Sequence, residues 1–357
     1  MAGKTYDIAV LKGDGIGPEV VDETLKVLEA LGTPDFNFTD SPCGAGCYLE
    51  QGNPLPKESV EACRRADAVL LGAMGLPHVR WPDGTEMRPQ IDLRIELDLY
   101  AGVRPIYLYA AEHSPLKGLG AGDIDFVILR ENVEGLFASM NGGIELRGEV
   151  AVDSMVITRS GTERVVRYAF ELARRRGRDP MKVTCVDKAN VFKSMAFFRR
   201  VFDEVGEAYP EIERDYAYVD ALSMYLVQRP ASYDVMVSEN MYGDIISDLA
   251  AGLVGGLGMA PSGDIGEDSA VFQPSHGTAP DITGESKANP LATILSYSMM
   301  LRYSFDMGED ADLVDQSVEN VLNSGLRTGD ILQPGKTLAS TGQMGDAVLA
   351  ELDKLAA

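Results

Sequence analysis

Two aspartates four residues apart, Asp244 and Asp248, form the pair whose spacing is best suited to chemistry. They stand at the start of an apolar segment that is typical of a helix, and side chains at positions i and i+4 share one helix face. Two carboxylates on one face repel each other unless a cation lies between them. An all-oxygen site of this kind favours a hard divalent metal, Mg²⁺ or Mn²⁺. A solvated helix face is the alternative interpretation of the pair taken alone.

Three arginines, Arg94, Arg104 and Arg130, are candidates for binding the carboxylates of a small acid. The planar guanidinium can hold a carboxylate through two hydrogen bonds. A surface ion pair is the alternative for any one of them. Lys188 is a candidate general base, because burial beside cations would favour its uncharged form. A surface lysine at a strand end is the alternative there.

The glycine-rich run Gly13–Gly17 follows a strand and opens a helix. It lacks the third glycine of the dinucleotide-binding fingerprint, although Asp40 could pass for the ribose-binding acid of that motif. We therefore interpret the run as a tight strand-to-helix turn that borders a cleft.

The composition restricts the classes of partner. The 357 residues carry a formal charge of −23, which argues against nucleic acid and anionic membranes. A local arginine cluster can still bind an anionic substrate. No apolar run approaches the ~20 residues that a membrane helix needs. The four cysteines have no spacing typical of a zinc site, and together with the absence of a signal-peptide core they predict a cytoplasmic protein.

Strands and helices alternate along the chain, which predicts an α/β fold with a largely parallel sheet. The predicted strands are Asp7–Leu11, Ala68–Leu71, Phe126–Leu129, Lys182–Val186 and Val235–Val237. The predicted helices are Pro18–Leu31 (ended by Gly32), Thr162–Arg176, Ser194–Tyr209, Ala221–Val227, Asp244–Leu257, Pro290–Phe305 and Gln343–Leu355.

The motifs together resemble one family, the β-decarboxylating dehydrogenases that act on isocitrate, isopropylmalate, homoisocitrate, tartrate or D-malate. The motifs, in chain order, are Leu11–Glu19, Arg94, Val103–Pro105, Leu129–Gly135, Val186–Val191, Val219–Ala221, Ser238–Asp248, His276–Ile282 and Ala288–Pro290. The resemblance implies a two-domain isopropylmalate-dehydrogenase-like fold with the active site in the interdomain cleft. Residues 1–100 and 255–357 would form a large cofactor-binding domain, and residues 101–254 a small domain for substrate, metal and dimerisation.

The resemblance also assigns roles to particular residues. Asp220, Asp244 and Asp248 would be the metal ligands, and Asp220 would reach in from the neighbouring subunit, so that activity requires a dimer. Lys188 and Asp220 would be catalytic. The residues expected to bind substrate are Arg94, Arg104, Arg130, Gln90 and Ile91.

The loop after residue 275 resembles the family's adenosine-binding loop. The residues expected to bind the cofactor are His276, Gly277, Thr278, Ala279, Asp281 and Asn289. Asp281 stands where NAD-dependent members place an acid and NADP-dependent members a lysine. Repulsion between this carboxylate and a 2′-phosphate predicts NAD as the cofactor.

Three departures from the family pattern bear on the reaction. Phe137 replaces the tyrosine assigned to proton delivery after CO₂ leaves, so another acid, such as Tyr225 or a water, serves, or protonation is slow, or decarboxylation is absent. Gln273 stands where glutamate usually precedes the cofactor loop. Polar Gln90 beside Ile91 does not resemble the aliphatic pocket expected for isopropylmalate.

These observations predict an NAD- and Mg²⁺- or Mn²⁺-dependent enzyme that oxidises, with decarboxylation, a 2-hydroxy di- or tricarboxylate. A homodimer or higher assembly is expected. The alternatives are a 2-hydroxy acid dehydrogenase without decarboxylation, a regulatory subunit of a hetero-oligomeric dehydrogenase, and a non-enzymatic metal-binding module.

Overall fold

The computed structural model describes residues 5–31, 35–140 and 142–356, and strands and helices alternate within them. The strands are β1 (Thr5–Gly13), β2 (Asp35–Asp40), β3 (Ala68–Ala73), β4 (Ala101–Tyr107), β5 (Asp125–Glu131), β6 (Ile144–Leu146), β7 (Val150–Val152), β8 (Lys182–Asp187), β9 (Glu213–Tyr218), β10 (Val235–Ser238), β11 (Pro261–Ile265), β12 (Ala270–Pro274), β13 (Leu326–Arg327) and β14 (Thr337–Leu338). The α-helices are α1 (Gly17–Ala30), α2 (Gly44–Gln51), α3 (Lys57–Arg65), α4 (Pro89–Glu96), α5 (Arg159–Arg176), α6 (Lys193–Gly206), α7 (Val219–Gln228), α8 (Asn240–Gly252), α9 (Leu291–Ser304), α10 (Gly308–Asn323) and α11 (Thr341–Ala356).

The chain forms two compact units. Unit 1 comprises Met1–Asp98, Tyr109–His113 and Gly255–Ala357, and unit 2 comprises Leu99–Leu108 and Ser114–Val254. The functions assigned above to two domains remain predictions.

Unit 1 contains a sheet with the strand order β2-β1-β3-β12-β11. Its strands pair in parallel except for the antiparallel β11 and β12. Helix α9 packs against β11 and β12 and is buried from Leu291 to Leu301, because its residues are apolar or small on every side. Helix α1 begins at the glycine-rich turn with Pro18 in its first turn, and Gly32, its predicted end, lies outside the described residues.

Unit 2 contains a sheet with the order β4-β5-β10-β8-β9, parallel except for the pair β4 and β5. Phe126, Ile128 and Met236 point from one face of this sheet into a core with Leu222 of α7 and Ile246 of α8. This alternation of side chains along β5 is typical of a strand covered by helices on both faces.

The candidate catalytic residues follow the carboxyl ends of the parallel strands of unit 2. Lys188 directly follows β8, Asp220 lies two residues after β9, and α8 begins two residues after β10. Ligand sites in parallel α/β sheets form at this edge of the sheet.

The α/β prediction is confirmed, and most strand pairs are parallel as expected. The predicted bounds Asp244–Leu257 for α8 were wrong. The helix begins four residues earlier because the buried Glu239 carboxylate accepts hydrogen bonds from Met241 N and Tyr242 N. It ends at Gly252, before Gly255 and Gly256, whose φ values of 121° and 92° are incompatible with a helix. Among the described residues, no helix combines the length and apolar composition needed to cross a membrane.

Candidate active site

Asp244 and Asp248 lie in the middle of α8, each about half exposed, and face two buried arginines of unit 2. Arg130, near the end of β5, donates from Nη1 to Asp244 Oδ1. Arg104 of β4 lies with Nη1 3.5 Å from Asp244 Oδ1 and 3.7 Å from Asp248 Oδ1, and it donates to Ser247 Oγ at 2.6 Å. The structure therefore brings together four of the predicted site residues.

Asn240 and Gly243, in the first turn of α8, fix the position of Arg130. Asn240 Oδ1 accepts from Arg130 Nε at 3.1 Å and Nη2 at 2.6 Å, and Asn240 Nδ2 donates to the Glu134 carbonyl oxygen at 3.2 Å. A Cβ atom on Gly243 would lie only 2.8 Å from Arg130 Cβ, so the absence of a side chain allows α8 to approach β5. The guanidinium is thus oriented from two directions.

The charges of this cluster fit a divalent cation. Burial raises the pKa of Asp248, and the neighbouring Asp244 carboxylate raises it further, while Arg104 lowers it. The Asp244 carboxylate therefore still disfavours the charged form of Asp248 in the presence of the arginines. An all-oxygen pair on one helix face, with carboxylates accessible to solvent, is the ligand type that Mg²⁺ or Mn²⁺ prefers.

Lys188 and Asp220 form a second group in unit 2. Lys188 Nζ donates to Asp220 Oδ1 at 2.5 Å, and this hydrogen bond lowers the pKa of the exposed Asp220 carboxyl. In the part of the chain that the structure describes, no group of three or more His, Cys, Asp or Glu is placed to hold a metal ion. Within one chain, Asp220 is therefore a partner of Lys188 and does not join Asp244 and Asp248.

Phe137 lies in a short 3-10 turn, Leu136–Ser139, beneath the arginine that contacts Asp244. The Arg130 guanidinium carbon lies 5.7 Å from the centre of the Phe137 ring, a distance typical of a cation–π contact. Tyr225, named above as a possible substitute acid, packs against the core of unit 2 with Arg229 4.2 Å from its ring centre. Phe137 thus contacts the predicted substrate-binding arginine without offering a hydroxyl group.

Arg94 of α4, in unit 1, is buried with a fixed carboxylate partner. Its Nε donates to Asp264 Oδ2 on β11 at 2.8 Å, and Gln273 Nε2 donates to the same oxygen at 2.5 Å. Gln273 therefore supports Arg94, which explains a neutral residue at this position, since a glutamate would meet Asp264 with like charge. The terminal nitrogens of Arg94 make no hydrogen bond within the described residues.

Gln90 and Ile91 begin α4, one turn before Arg94, and both are half-buried. The side-chain oxygen of Gln90 is buried and accepts no hydrogen bond from the residues that the structure describes. The prediction placed both residues beside the substrate, and their position on the helix that carries Arg94 is compatible with it.

The glycine-rich turn of unit 1 is organised around Asp14. This buried carboxylate accepts hydrogen bonds from Ala45 N at 2.7 Å, Gly46 N at 2.8 Å and Gly75 N at 2.8 Å. Gly15, with φ 59°, approaches the next loop so closely that a Cβ atom would lie 2.1 Å from the Thr278 carbonyl oxygen. The run therefore forms a tight turn, as interpreted from the sequence.

A cavity of about 290 Å³ lies beside this turn, entirely within unit 1. Two predicted cofactor-binding residues, His276 and Asn289, line it. Burial lowers the pKa of His276, whose Nε2 has no hydrogen-bond partner among the described residues. The other lining residues are Ile16, Gly258, Ile282, Lys287, Ala288, Gly329 and Asp330.

The remaining predicted cofactor residues, Gly277, Thr278, Ala279 and Asp281, do not line this cavity. Thr278 donates to the Gly75 carbonyl oxygen at 2.7 Å and so joins the loop to the glycine-rich segment. Asp281 is exposed and directly precedes Ile282, which does line the cavity. Gly277 and Ala279 complete the loop, and Ala279 has a positive φ of 37°.

Two polar residues of the cavity were missed from the sequence. Asp330 accepts from Asn289 Nδ2 at 3.1 Å, and Lys287 forms an exposed ion pair of 2.6 Å with Glu285. The short polar run Thr328-Gly329-Asp330 was the only available signal for Asp330, and it is typical of any turn. An unpaired histidine nitrogen, an amide and a carboxylate around an apolar cavity are groups suited to the adenosine part of a dinucleotide.

Solved structures define the class of protein. An isocitrate dehydrogenase from Methylococcus capsulatus matches with a TM-score of 0.89 and 36% identity, over 98% of this chain and 99% of that chain. A beta-decarboxylating dehydrogenase from Thermococcus kodakarensis matches with a TM-score of 0.82 and 38% identity, over 98% and 97% of the two chains. The class is therefore that of the dehydrogenases.

The family model for isocitrate/isopropylmalate dehydrogenase matches residues 7–348. A 3-isopropylmalate dehydrogenase of Moorella thermoacetica is 45% identical over 98% of this chain and 99% of its own length. Another, of Aquifex aeolicus, is 42% identical over 99% and 98%. The chain belongs to the isocitrate/isopropylmalate dehydrogenase family. It is an enzyme, an oxidoreductase that acts on a CH–OH group, as predicted.

Proposed function

We propose that this enzyme oxidises a 2-hydroxy di- or tricarboxylate with NAD and a divalent metal, and that decarboxylation follows. The observation that carries the proposal is the cluster in unit 2 in which Arg104 and Arg130 face Asp244 and Asp248. The aspartates could bind a metal ion there, and the neighbouring guanidinium groups could bind the carboxylates of the substrate.

The residues of the chain supply binding and proton transfer. Arg94, Arg104 and Arg130 would bind the carboxylates of the substrate, two of them already oriented by Asp264 and Asn240. Lys188 would accept the hydroxyl proton when the C2 alcohol is oxidised to a 2-oxo acid. NAD, held beside His276 and Asn289, would supply the hydride acceptor. A metal ion bound by Asp244 and Asp248 would supply Lewis-acid chemistry at the hydroxyl oxygen.

The metal site supports assembly as at least a dimer. Because Asp220 pairs with Lys188 apart from Asp244 and Asp248, a second copy of the chain would have to supply Asp220 to a site with three aspartates. Unit 2 also exposes a set of large apolar side chains, as expected of an interface between copies. They include Ile144, Leu146, Val150 and Val152 of the β6–β7 hairpin and Val191, Phe192, Met224, Val227 and Ile245.

NAD is proposed over NADP because the cavity and its rim carry acids. Asp330 lines the cavity and Asp281 lies beside it, while the charge of Lys287 is balanced by Glu285. A phosphate ~4 Å from a carboxylate is disfavoured by about 4 kcal/mol at an effective dielectric near 20. We expect kcat/KM for NAD to exceed that for NADP by at least about tenfold, a cautious fraction of that value.

A second candidate function is oxidation without decarboxylation, and Phe137 favours it. The side chain beneath Arg130 has no proton to deliver to the carbon that loses CO₂.

Cytoplasmic location remains a prediction from the composition.

One assay separates these functions. Reduced cofactor and CO₂ are measured together for malate, tartrate, isocitrate, isopropylmalate and homoisocitrate, with Mg²⁺, Mn²⁺ or EDTA and with NAD or NADP. NADH with equimolar CO₂ supports the first function, and NADH without CO₂ supports the second. Equal turnover with NADP would contradict the cofactor assignment, and full activity in excess EDTA the metal.

A complementation experiment tests the shared site. The variants Lys188→Ala and Asp244→Asn are inactive alone if both residues are essential. Mixed under conditions of subunit exchange, they should regain part of the activity. Lys188 would enter each site together with Asp220 from the other copy, so one site of each hybrid dimer would contain only native residues. The control pair is Asp244→Asn and Asp248→Asn, which should not complement. Both residues lie on α8 and come from the same copy of the chain, so every site of a hybrid dimer would contain one substitution.

A further inference from the structure

Asp187, the last residue of β8, is a carboxylate that shapes the chain around Lys188. Its side chain is fully buried, and its Oδ1 accepts a hydrogen bond from Ala189 N at 2.8 Å. This bond from the N–H of residue i+2 to the side chain of residue i forms an Asx turn, with Lys188 at its centre. The Lys188 carbonyl oxygen accepts from Val191 N at 3.0 Å and Phe192 N at 3.1 Å. The backbone on both sides of the candidate base is therefore fixed.

Arg199 of α6 holds this carboxylate through two hydrogen bonds. Its Nε donates to Asp187 Oδ2 at 2.7 Å and its Nη2 to Asp187 Oδ1 at 2.8 Å, which is the bidentate arrangement of a strong ion pair. A fully buried carboxylate would be destabilised without such a partner. Arg199 therefore sets the orientation of the carboxylate that closes the turn around Lys188.

The same guanidinium contacts the aromatic ring against which the Lys188 side chain lies. The guanidinium carbon of Arg199 is 5.2 Å from the centre of the Tyr218 ring, at the end of β9. Lys188 Nζ is 5.9 Å from the same ring centre, and it donates to Asp220 Oδ1 at 2.5 Å. Distances within about 6 Å are typical of cation–π contacts. Arg199 thus reaches the backbone of the base through the buried carboxylate and its side chain through the ring.

We propose that Arg199 is a positioning residue for the oxidation, which holds the Lys188 amine where it can accept the hydroxyl proton. This inference rests on the proposed role of Lys188 as the general base. Misplacement of a reacting group by about 1 Å can reduce a rate by about 100-fold. The arginines assigned to substrate binding are held by other residues, so loss of Arg199 should lower kcat more than it changes KM.

A double-mutant cycle with Lys188 tests the proposal. kcat and KM are measured for the wild type, Arg199→Met, Lys188→Ala and the double variant, with the acid that gives the highest rate of NADH formation. We expect Arg199→Met to lower kcat by about tenfold or more and to change KM by less than about threefold. In the Lys188→Ala background the same substitution should change kcat by less than about twofold, because no base remains to be misplaced. A purely structural role would give an equal loss in both backgrounds, which would overturn the inference.

Two further variants of α6 make the cycle specific. Arg200→Met removes the next arginine, whose guanidinium carbon lies 5.2 Å from the centre of the Phe197 ring, and should leave kcat unchanged in both backgrounds. Arg199→Lys keeps the positive charge but loses the bidentate fork, so its kcat should lie between those of the wild type and Arg199→Met. If Arg199→Met does not fold, the cycle is measured with Arg199→Lys, and an equal loss with and without Lys188 again overturns the inference.

The failure of this inference and the failure of the proposed function are distinguishable. Equal losses in both backgrounds, with NADH formed by the wild type, overturn the inference and leave the proposed oxidation intact. If no acid yields NADH, the proposed function fails, and crystal structures of the wild type and Arg199→Lys then decide whether Arg199 positions Lys188. Displacement of Lys188 Nζ from Asp220 and from the Tyr218 ring in the variant would support the inference, whereas the same Nζ position in both proteins would overturn it.

Discussion

Asp14 in unit 1 and Asp244 in unit 2 are both carboxylates next to a predicted ligand site, but they are held in different ways. Asp14 is buried and accepts three hydrogen bonds from backbone N–H groups. Asp244 is half exposed and faces the side chains of Arg130 and Arg104. The backbone donors enclose the Asp14 carboxylate within the fold, whereas about half of the Asp244 side chain remains open to solvent.

The comparison teaches that the origin of the hydrogen bonds separates a structural carboxylate from one available to a ligand. A metal ion could not reach Asp14 without breaking the turn, but it can approach Asp244 from the solvent-exposed side of that carboxylate. Charge alone would not have made this distinction, since both residues are acids in short segments that also contain glycine.

The largest effect is expected from Asp244→Asn. We expect a loss of about 10³-fold or more in hydride transfer, because the amide binds a divalent cation weakly and the pair on α8 is lost. NADH formation and Mn²⁺ titration measure the effect, and circular dichroism checks the fold. Asp22→Asn, on the exposed face of α1, is the matched control and should behave as wild type. Unchanged Mn²⁺ affinity in Asp244→Asn would break the comparison.

Asp14→Ala should act on stability and leave the metal untouched. Three buried N–H groups would lose their acceptor, which we expect to lower the free energy of unfolding by about 4 kcal/mol. Urea unfolding measures it, with Asp22→Ala as the control. A variant as stable as the wild type would mean that the backbone donors are not what makes this carboxylate structural.

Glu131, at the end of β5, resembles Asp14, because it is a buried carboxylate that accepts hydrogen bonds from backbone N–H groups. Its contribution to the free energy of unfolding should depend on pH. Burial raises its pKa to about 7, the nearby Glu134 adds to the rise, and the N–H groups of Val133 and Glu134 oppose it. A folded-state pKa above the unfolded value of ~4.3 stabilises the fold fully at low pH, and this stabilisation is lost as pH rises through 7.

We therefore expect the wild type to lose about 3 kcal/mol of unfolding free energy from this group between about pH 4 and pH 8. Glu131→Gln, which cannot ionise, should give a flatter curve in urea unfolding across this range. Parallel curves for the two proteins would show that Glu131 does not titrate there.

Lys188→Ala should reduce hydroxyl oxidation by roughly 10²-fold or more, because the base is removed. Lys193→Ala, an exposed lysine at the start of α6, is the control. A substrate deuterium isotope effect on the remaining rate would identify hydride transfer as the affected step. Equal rates for the two variants would return Lys188 to the role of a surface lysine that pairs with Asp220.

The smallest effect is expected from Phe137→Tyr. The new hydroxyl would lie beneath Arg130, so it should change the ratio of CO₂ to NADH, or the solvent isotope effect, more than cofactor affinity. Phe137→Leu controls for the loss of the aromatic ring. Identical stoichiometry and isotope effects in wild type and Phe137→Tyr would exclude this position from proton delivery.

Short-range patterns made much of this predictable. The i, i+4 spacing of Asp244 and Asp248 identified one helix face, and the strand predicted at Lys182–Val186 placed Lys188 near a strand end. The strand β9, which precedes Asp220, was not predicted. Partners distant in sequence were not predictable: Asp264 supports Arg94 from a strand 170 residues away, and Asp330 joins Asn289 from a separate turn. The start of α8 was missed because Glu239 was not recognised as a cap, and β2 because its short, partly polar run resembles a loop.

The three amides held by Asp14 have a consequence for hydrogen exchange. Ala45 and Gly46 lie at the start of α2 and Gly75 lies in the segment after β3, but the three share one acceptor side chain. Their deuterium uptake should therefore follow a common opening event, with similar protection factors, even though 28 residues lie between Gly46 and Gly75. In Asp14→Ala the three rates should rise together, so that exchange measured at any one of them reports on the motion of both segments.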